Sequence, residues 1–192
     1  MDVISWLFPY LLPIITSGCS LFIGYKLALR KFRKENRRDF ILQQVKQFYS
    51  PMVGSIKHIR ANRELRLELS NVSDVAWHKI CEENPKPFHS HKEHFEPFMK
   101  QIEYDNQQFR DRILPIYEKM VDIFTNNLWL AEESTKIFYN PFRRYVELWQ
   151  RYLDDAIPQR VIEELCIEEK YLLPFYEDLE KKLQILRNEL AQ

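Results

Sequence analysis

The stretch ILQQVKQFYSPMVGSIKHI, residues 41–59, decides the fold class. Its apolar residues recur at steps of three or four, which is the spacing of one face of an α-helix. Pro51 lies inside this run, and because proline has no backbone N–H it removes a helical hydrogen bond. The stretch therefore predicts an amphipathic helix that is kinked near Gln47. The apolar stripe consists of Ile41, Val45, Phe48, Met52, Ile56 and Ile59.

Three further stripes with helical spacing follow, and no stretch alternates long enough to predict a strand. Pro115 lies inside the first of them and predicts a second bend. The last stripe has the steps of a heptad seam, so its surface is a candidate contact for a partner. These patterns predict an antiparallel bundle of four or five kinked helices. The stripes are Phe109, Ile113, Ile116, Met120, Phe124 and Leu128; Phe138, Phe142, Tyr145, Trp149 and Tyr152; and Leu172, Tyr176, Leu179, Leu183, Leu186 and Leu190.

Turn-forming residues divide the predicted helices. Residues 70–74, SNVSD, predict a break after which Ser73 caps a short helix. The sequence NPKP at 84–87 predicts a second break, and two asparagines at 126–127 predict a helix end. Pro158 suits the first turn of the last helix, because the first helical N–H groups need no intrahelical partner.

Two short motifs each occur twice. FYSPM at 48–52 resembles FYNPF at 138–142, and LPIYE at 114–118 resembles LPFYE at 173–177. Each copy places a proline beside aromatic residues within a helical run. We interpret the motifs as repeated kinks whose extra space is filled by aromatic rings; an internal duplication or a ligand-facing kink are the alternatives.

Composition excludes several classes of protein. The 192 residues contain 28 basic and 28 acidic side chains, so overall positive charge cannot drive nucleic-acid binding, and no nucleic acid is expected as a partner. Three glycines are too few for Gly-rich phosphate loops, and three scattered cysteines do not make a disulfide framework. The charge is uneven: residues 1–38 hold seven basic and two acidic side chains (+5), which leaves 21 basic and 26 acidic (−5) for the rest.

The N-terminal region has the pattern of a membrane anchor. Residues 3–25 carry no formal charge, and as a helix they would be about 34 Å long, enough to cross a bilayer. A basic collar follows, which predicts an outside N-terminus and contact with anionic lipid. We predict an all-α protein with a single transmembrane anchor (1–29), a juxtamembrane collar (30–38) and a cytoplasmic helical domain (39–192). The lipid-contacting cations are Lys26, Arg30, Lys31, Arg33, Lys34, Arg37 and Arg38.

The N-terminal region has three other interpretations. A cleaved signal peptide is disfavoured because the chain begins Met1-Asp2 rather than with basic residues. Lipidation of Cys19 is disfavoured because Thr16 replaces the usual aliphatic residue and apolar sequence continues to Leu29. The third interpretation is a buried core helix. Within the predicted span, Ser20, Gly24 and Ala28 lie four residues apart, the spacing that lets two helices approach closely.

A span, a basic collar and then Gln47-Phe48-Tyr49-Ser50-Pro51-Met52 resemble a group of uncharacterised bacterial single-pass membrane proteins. The resemblance covers about the first third of the chain. It implies a location in the bacterial inner membrane, and it supplies no catalytic residues.

The strongest candidate for chemistry is a histidine cluster, His89, His91 and His94, with Cys81 upstream. Imidazole and thiolate groups are good zinc ligands. However, no Cys-x-x-Cys or His-Glu-x-x-His pattern is present, so a solvated helix start is favoured. No nucleophile elbow occurs, and Cys166 lies among apolar residues as an inert thiol would. We therefore expect no catalytic residues and no cofactor.

The sequence favours a non-enzymatic, membrane-anchored helical module for protein interaction or scaffolding, with a protein partner or a second copy of itself as the contact. One alternative is a membrane-active effector, such as a bacterial toxin or phage-defence component, that acts when its spans associate. A second alternative is a metal-dependent enzyme that uses the histidine cluster.

Overall fold

A computed structural model describes residues 3–83, 92–165 and 168–191, apart from the side chains of residues 3–21, 23, 92, 93 and 159. Every regular element in these ranges is a helix, so the all-α prediction is confirmed. The chain divides into two compact units, Met1–Gln43 and Gln44–Gln192. The predicted break at 84–87 and Cys166 lie outside the described residues.

The first unit contains one long helix, α1, which extends from Val3 to Gln43. It begins before Pro9 and Pro13 and continues without interruption through the basic collar. Among the residues that the structure describes, no helix is long and apolar enough to cross a membrane. The predicted anchor at residues 1–29 falls largely on residues whose side chains lie outside that description.

The second unit contains seven α-helices among its described residues. They are α2 (Ser50–Glu83), α3 (Lys92–Gln108), α4 (Leu114–Asn126), α5 (Glu133–Lys136), α6 (Tyr139–Leu153), α7 (Gln159–Glu164) and α8 (Leu173–Leu190). Short 3₁₀ turns occupy Leu128–Leu130 and Glu169–Leu172. α4 ends at Asn126, as the two asparagines predicted.

Two π-helical turns mark the places where prolines predicted bends. The first covers Gln44–Tyr49 and ends just before Pro51; the second covers Phe109–Ile113 and ends just before Pro115. Each proline deprives the carbonyl four residues earlier of its usual donor. A π-helical turn bonds each carbonyl to the N–H five residues later, so it bypasses the missing donor. The irregularities predicted at Pro51 and Pro115 are therefore confirmed, and their geometry is a widened turn. The kinks predicted in the second copies of the two motifs are wrong, because Pro141 and Pro174 lie in the first turns of α6 and α8.

Aromatic rings fill the core of the second unit. Phe124 on α4 lies 5.2 Å from Phe48 and 5.6 Å from Phe175 between ring centroids, and Phe142 on α6 lies 5.1 Å from Phe175. All four side chains are almost completely buried. Large aromatic side chains contribute most apolar area per residue, so these rings dominate the burial that holds α4, α6, α8 and the first π-helical turn together.

The FYSPM motif has a structural role. Phe48, Tyr49 and Met52 are each 0% exposed. The Tyr49 hydroxyl accepts a hydrogen bond from the backbone N–H of Glu132 at 2.9 Å and lies 3.0 Å from Thr135 Oγ1, which itself donates to Asp178 at 2.6 Å. The motif therefore fixes the segment between α4 and α6 against α8.

The predicted break at residues 70–74 is wrong, because α2 continues from Ser50 to Glu83. Ser73 is not an N-cap; its hydroxyl donates to Gln101 Oε1 on α3 at 2.7 Å. Four residues further on, the Trp77 ring contacts Phe95 and Phe98 of α3 at 4.9 and 5.7 Å between centroids. Packing of α3 against this part of α2 outweighs the weak helix propensity of serine, asparagine and aspartate.

The last helix also differs from the prediction. Pro158 precedes the short helix α7, and the final helix α8 begins at Leu173, with Pro174 in its first turn. The heptad seam is not a free contact surface either, since Leu172, Tyr176, Leu179, Leu183 and Leu186 are all buried within the second unit. The heptad spacing here reflects a core-facing helix.

Candidate functional site

A cavity of about 340 Å³ opens between α2 on one side and α3, the second π-helical turn and α4 on the other. We call it the α2–α4 groove. Arg63, Arg66 and Leu69 on α2 line it because residues three apart share one helix face. Phe109 and Arg112 line the opposite wall from the π-helical turn. Widened turns of this kind frequently occur at functional sites.

Tyrosine hydroxyls and one ion pair form the inner end of the groove. Tyr117 donates to Glu169 Oε1 at 3.2 Å, and its hydroxyl oxygen lies 3.1 Å from that of Tyr176. Glu169 Oε2 lies 3.3 Å from Arg63 Nη1. Tyr145, which is 8% exposed, adds its ring from α6. The inner end therefore offers both hydrogen-bond donors and acceptors.

Burial raises the pKa of all three tyrosines. Desolvation, with a further contribution from the Glu169 carboxylate, raises the pKa of Tyr145 to about 12. Desolvation is also the main cause that raises the pKa values of Tyr117 and Tyr176. The three hydroxyls are thus neutral at physiological pH and act as hydrogen-bonding groups rather than as catalytic bases.

The rim of the groove combines cations with exposed apolar surface. Arg66 and Arg112 form no ion pair with any residue that the structure describes, while the carboxylate of Asp105 also faces the cavity. Leu65 and Tyr104 are 56% and 59% exposed, so the apolar wall reaches solvent. With Arg63 and Glu169 neutralising each other, the remaining rim charge is +1. The groove can therefore accept an anionic ligand that also has an apolar surface.

A second cavity, of about 580 Å³, shares Arg66 and Phe109 with the α2–α4 groove. The Phe109 ring lies 4.9 Å from that of Trp149 between centroids. The Trp149 indole N–H lies near the Tyr145 hydroxyl and opposes the rise in its pKa, but it forms no hydrogen bond of ordinary length with a described group. Contacts between aromatic rings, rather than a hydrogen bond from Trp149, therefore position Phe109 on its wall of the groove.

The basic collar is exposed along α1. At 100° per residue, its six cations and the preceding Lys26 fall within an arc of roughly 160° of the helix circumference. Phe22, Tyr25, Leu29 and Phe32 occupy another side of the same helix, and the rings of Phe22, Tyr25 and Phe32 are 59–61% exposed. α1 thus presents an uncharged apolar stripe and a basic face. The exposed cations are Lys26, Arg30, Lys31, Arg33, Lys34, Arg37 and Arg38.

The structure tests the predicted metal site only in part. His89 and His91 lie outside the described residues, and His94 is exposed on α3. No group of three metal-binding side chains occurs within the described ranges 3–83, 92–165 and 168–191. The histidine site remains a prediction.

Of the predicted span-association residues, the side chain of Ser20 is not described, whereas Gly24 and Ala28 are exposed. A Cβ placed on Gly24 would meet no described atom within 4 Å, apart from its own helix backbone and chain neighbours. This face of α1 therefore has room for the close approach of another helix, and association through it remains a prediction.

The α2–α4 groove was not predicted from the sequence. The stripes correctly placed Tyr145 and Tyr176 toward the core, but nothing in the sequence linked them to Glu169 or to arginines on α2. One signal was present: Tyr117 and Tyr176 hold the same position in the two LPxYE motifs, and their hydroxyls meet in the structure. The repeated motif marked the inner end of the groove.

Comparisons with known proteins add no relative. No protein family matches the chain, and neither the curated proteins nor the solved structures contain a match to it.

Proposed function

We propose that the protein is a non-enzymatic scaffold, a single-pass inner-membrane protein whose N-terminus is outside and whose antiparallel helical bundle is cytoplasmic. An uncharged stretch at residues 3–25 and the collar that follows it support this arrangement. α1 joins the two without a break, because it extends from Val3 to Gln43. In this role the protein holds a partner at the inner face of the membrane.

The observation that carries the proposal is the uncharged stripe on α1. Phe22, Tyr25, Leu29 and Phe32 are spaced three, four and three residues apart, which is the pattern of a helix–helix seam. The collar cations occupy a different arc, whereas Lys26 reaches the stripe, with its ammonium 5.4 Å from the centroid of the Phe22 ring. Two copies can therefore meet along Tyr25, Leu29 and Phe32 without burying a charge. A membrane gives every copy the same orientation, which favours a parallel pair. A second copy of the chain is therefore the contact that we assign to this stripe.

Membrane vesicles from cells that express the full-length protein test the anchor. We expect the protein to stay in the pellet after extraction with alkaline carbonate, because an integral helix is not released by high pH. Release into the supernatant would remove the anchor from the proposal.

Energy transfer between two differently labelled copies in vesicles tests the pairing. We expect Phe32→Ser to reduce transfer, since it removes a seam ring, whereas Lys34→Ser on the basic face leaves transfer unchanged. Equal transfer in the native protein and in Phe32→Ser would show that the stripe does not pair.

A membrane-active effector is the second candidate function, and the open surface at Gly24 favours it. Small residues at this position let spans associate closely, and such association can permeabilise a bilayer. This function predicts growth arrest with dye entry on overexpression, and loss of both effects in Gly24→Leu. Overexpression without harm would support the scaffold instead.

A further inference from the structure

We propose that the α2–α4 groove binds a mononucleotide, with the phosphate at the rim between Arg66 and Arg112 and the base at the inner end. This inference is independent of the scaffold and membrane roles, because it rests only on side chains of the second unit. The cavity volume of about 340 Å³ lies within the range of roughly 300–1,000 Å³ that is usual for small-molecule sites.

The rim selects an anion. Guanidinium groups bind phosphate oxygens through paired N–H donors. Arg66 and Arg112 face the cavity and form no ion pair with a described residue, so binding does not require breaking an existing pair. Arg63 is less available because it already contacts Glu169. Asp105 offsets one of the two free cations and leaves a net attraction for a negatively charged group.

The walls select a flat ring. Phe109 lies on one wall, supported from behind by Trp149, and Tyr104 lies nearby on α3. Nucleic-acid bases stack on aromatic side chains, and this stacking contributes to affinity in single-strand binding proteins. Leu65 and Leu69 provide the apolar surface of α2.

The inner end selects a ring with polar edges. Glu169 accepts hydrogen bonds there, and the tyrosine hydroxyls both donate and accept. A heterocyclic base carries donors and acceptors on its edge, so it can add hydrogen bonds to this network, whose groups already bond to one another and to Arg63. The hydrocarbon chain of a fatty acid offers no such groups. Inorganic phosphate alone would leave the aromatic walls unoccupied.

Equilibrium dialysis of the detergent-solubilised full-length protein with AMP and with GMP tests the proposal. We expect saturable binding of at least one of them. We also expect a tenfold or greater loss of affinity in Arg66→Gln and in Arg112→Gln. The matched control is Arg143→Gln, an exposed arginine on α6 that does not line the groove, and it should bind as the native protein does. Helical circular dichroism and thermal midpoint must be unchanged in the variants compared.

Adenosine, guanosine and inorganic phosphate complete the experiment. Weaker binding of each than of the corresponding nucleotide supports a site that uses both base and phosphate. The proposal fails if neither AMP nor GMP binds, if phosphate alone binds equally well, or if Arg66→Gln and Arg112→Gln bind like the control. If Arg66→Gln or Arg112→Gln fails to fold, Phe109→Ala takes its place. This substitution keeps both arginines and removes the aromatic ring on which the base is proposed to stack, so it should also weaken nucleotide binding.

Discussion

The hydroxyl of Tyr49 is held in a chain of hydrogen bonds whose direction is fixed. Because Thr135 donates its own proton to Asp178, the Tyr49 hydroxyl must donate to Thr135 while it accepts from Glu132 N–H. Desolvation is the main reason that the pKa of Tyr49 is raised, so the donor proton is retained. One buried phenol therefore satisfies one backbone group and one side chain.

Replacing Tyr49 by Phe is expected to lower the free energy of unfolding by about 1–3 kcal/mol, since Glu132 N–H then loses its acceptor in a partly buried position. Denaturant unfolding followed by circular dichroism measures the change. The matched control is Tyr171→Phe, an exposed tyrosine (60%), for which we expect a change within about 0.5 kcal/mol. Equal effects of the two substitutions would contradict the assigned network.

Tyr145 gives the stability a dependence on alkaline pH. Its pKa is raised from 10.0 in the reference state to about 12, so above pH 10 the unfolded chain releases a proton that the folded protein keeps. The free energy of unfolding should therefore fall as pH rises past 10, and the loss should continue through about pH 12. We expect Tyr145→Phe to show a shallower fall than the native protein in denaturant titrations at about pH 8, 10 and 11. The same slope in both proteins would contradict the role of this phenol.

At the scale of the helices, the sequence predicted the positions of the two irregular turns but not their π-helical geometry. Pro51 and Pro115 located both irregular turns, because a missing N–H is a property of one residue and can be read locally. The choice of a widened turn over a sharp bend depends on tertiary packing. Tertiary packing also explains why the break predicted at 70–74 is wrong. Ser73 and Trp77 on α2 contact residues of α3 that are distant in sequence, and a local pattern does not show these contacts.

The seam of α8 faces the core, which a pair of substitutions can test. Leu179 is 0% exposed, so Leu179→Ala should cost about 2–5 kcal/mol of unfolding free energy through lost burial and a residual cavity. Ile185→Ala, on the exposed side of the same helix (47%), should cost far less. Chemical denaturation measures both. A change of oligomeric state in Leu179→Ala without loss of stability would favour an intermolecular coiled coil instead.

At the scale of the whole molecule, periodicity was sufficient for the fold class and for most of the core. The apolar stripes, with their steps of three and four residues, correctly identified Phe124, Phe142 and Tyr176 as buried. The α2–α4 groove could not be predicted, because it requires Arg66, Phe109 and Glu169 to meet from three separate elements. The residue pattern along one helix does not show which residues of other elements will lie beside it.

The second unit should fold without the first 30 residues of the chain. Its described core residues from Phe48 onward include rings from the first π-helical turn, α4, α6 and α8. We therefore expect deletion of residues 1–30 to leave a soluble helical protein that unfolds cooperatively, as measured by far-ultraviolet circular dichroism during thermal and urea titration. An unfolded spectrum would show that the two units depend on each other for folding.

The widened turn at Phe109–Ile113 has a consequence for comparing this chain with homologous ones. A π-helical turn is one residue longer than the α-helical turn it replaces. A homologue with a single-residue gap between Gln108 and Leu114 would lose this widened turn and rotate Phe109 or Arg112 by about 100° away from its present place. Gap placement at this position would therefore separate homologues that keep the residues of the proposed nucleotide site in place from those that do not.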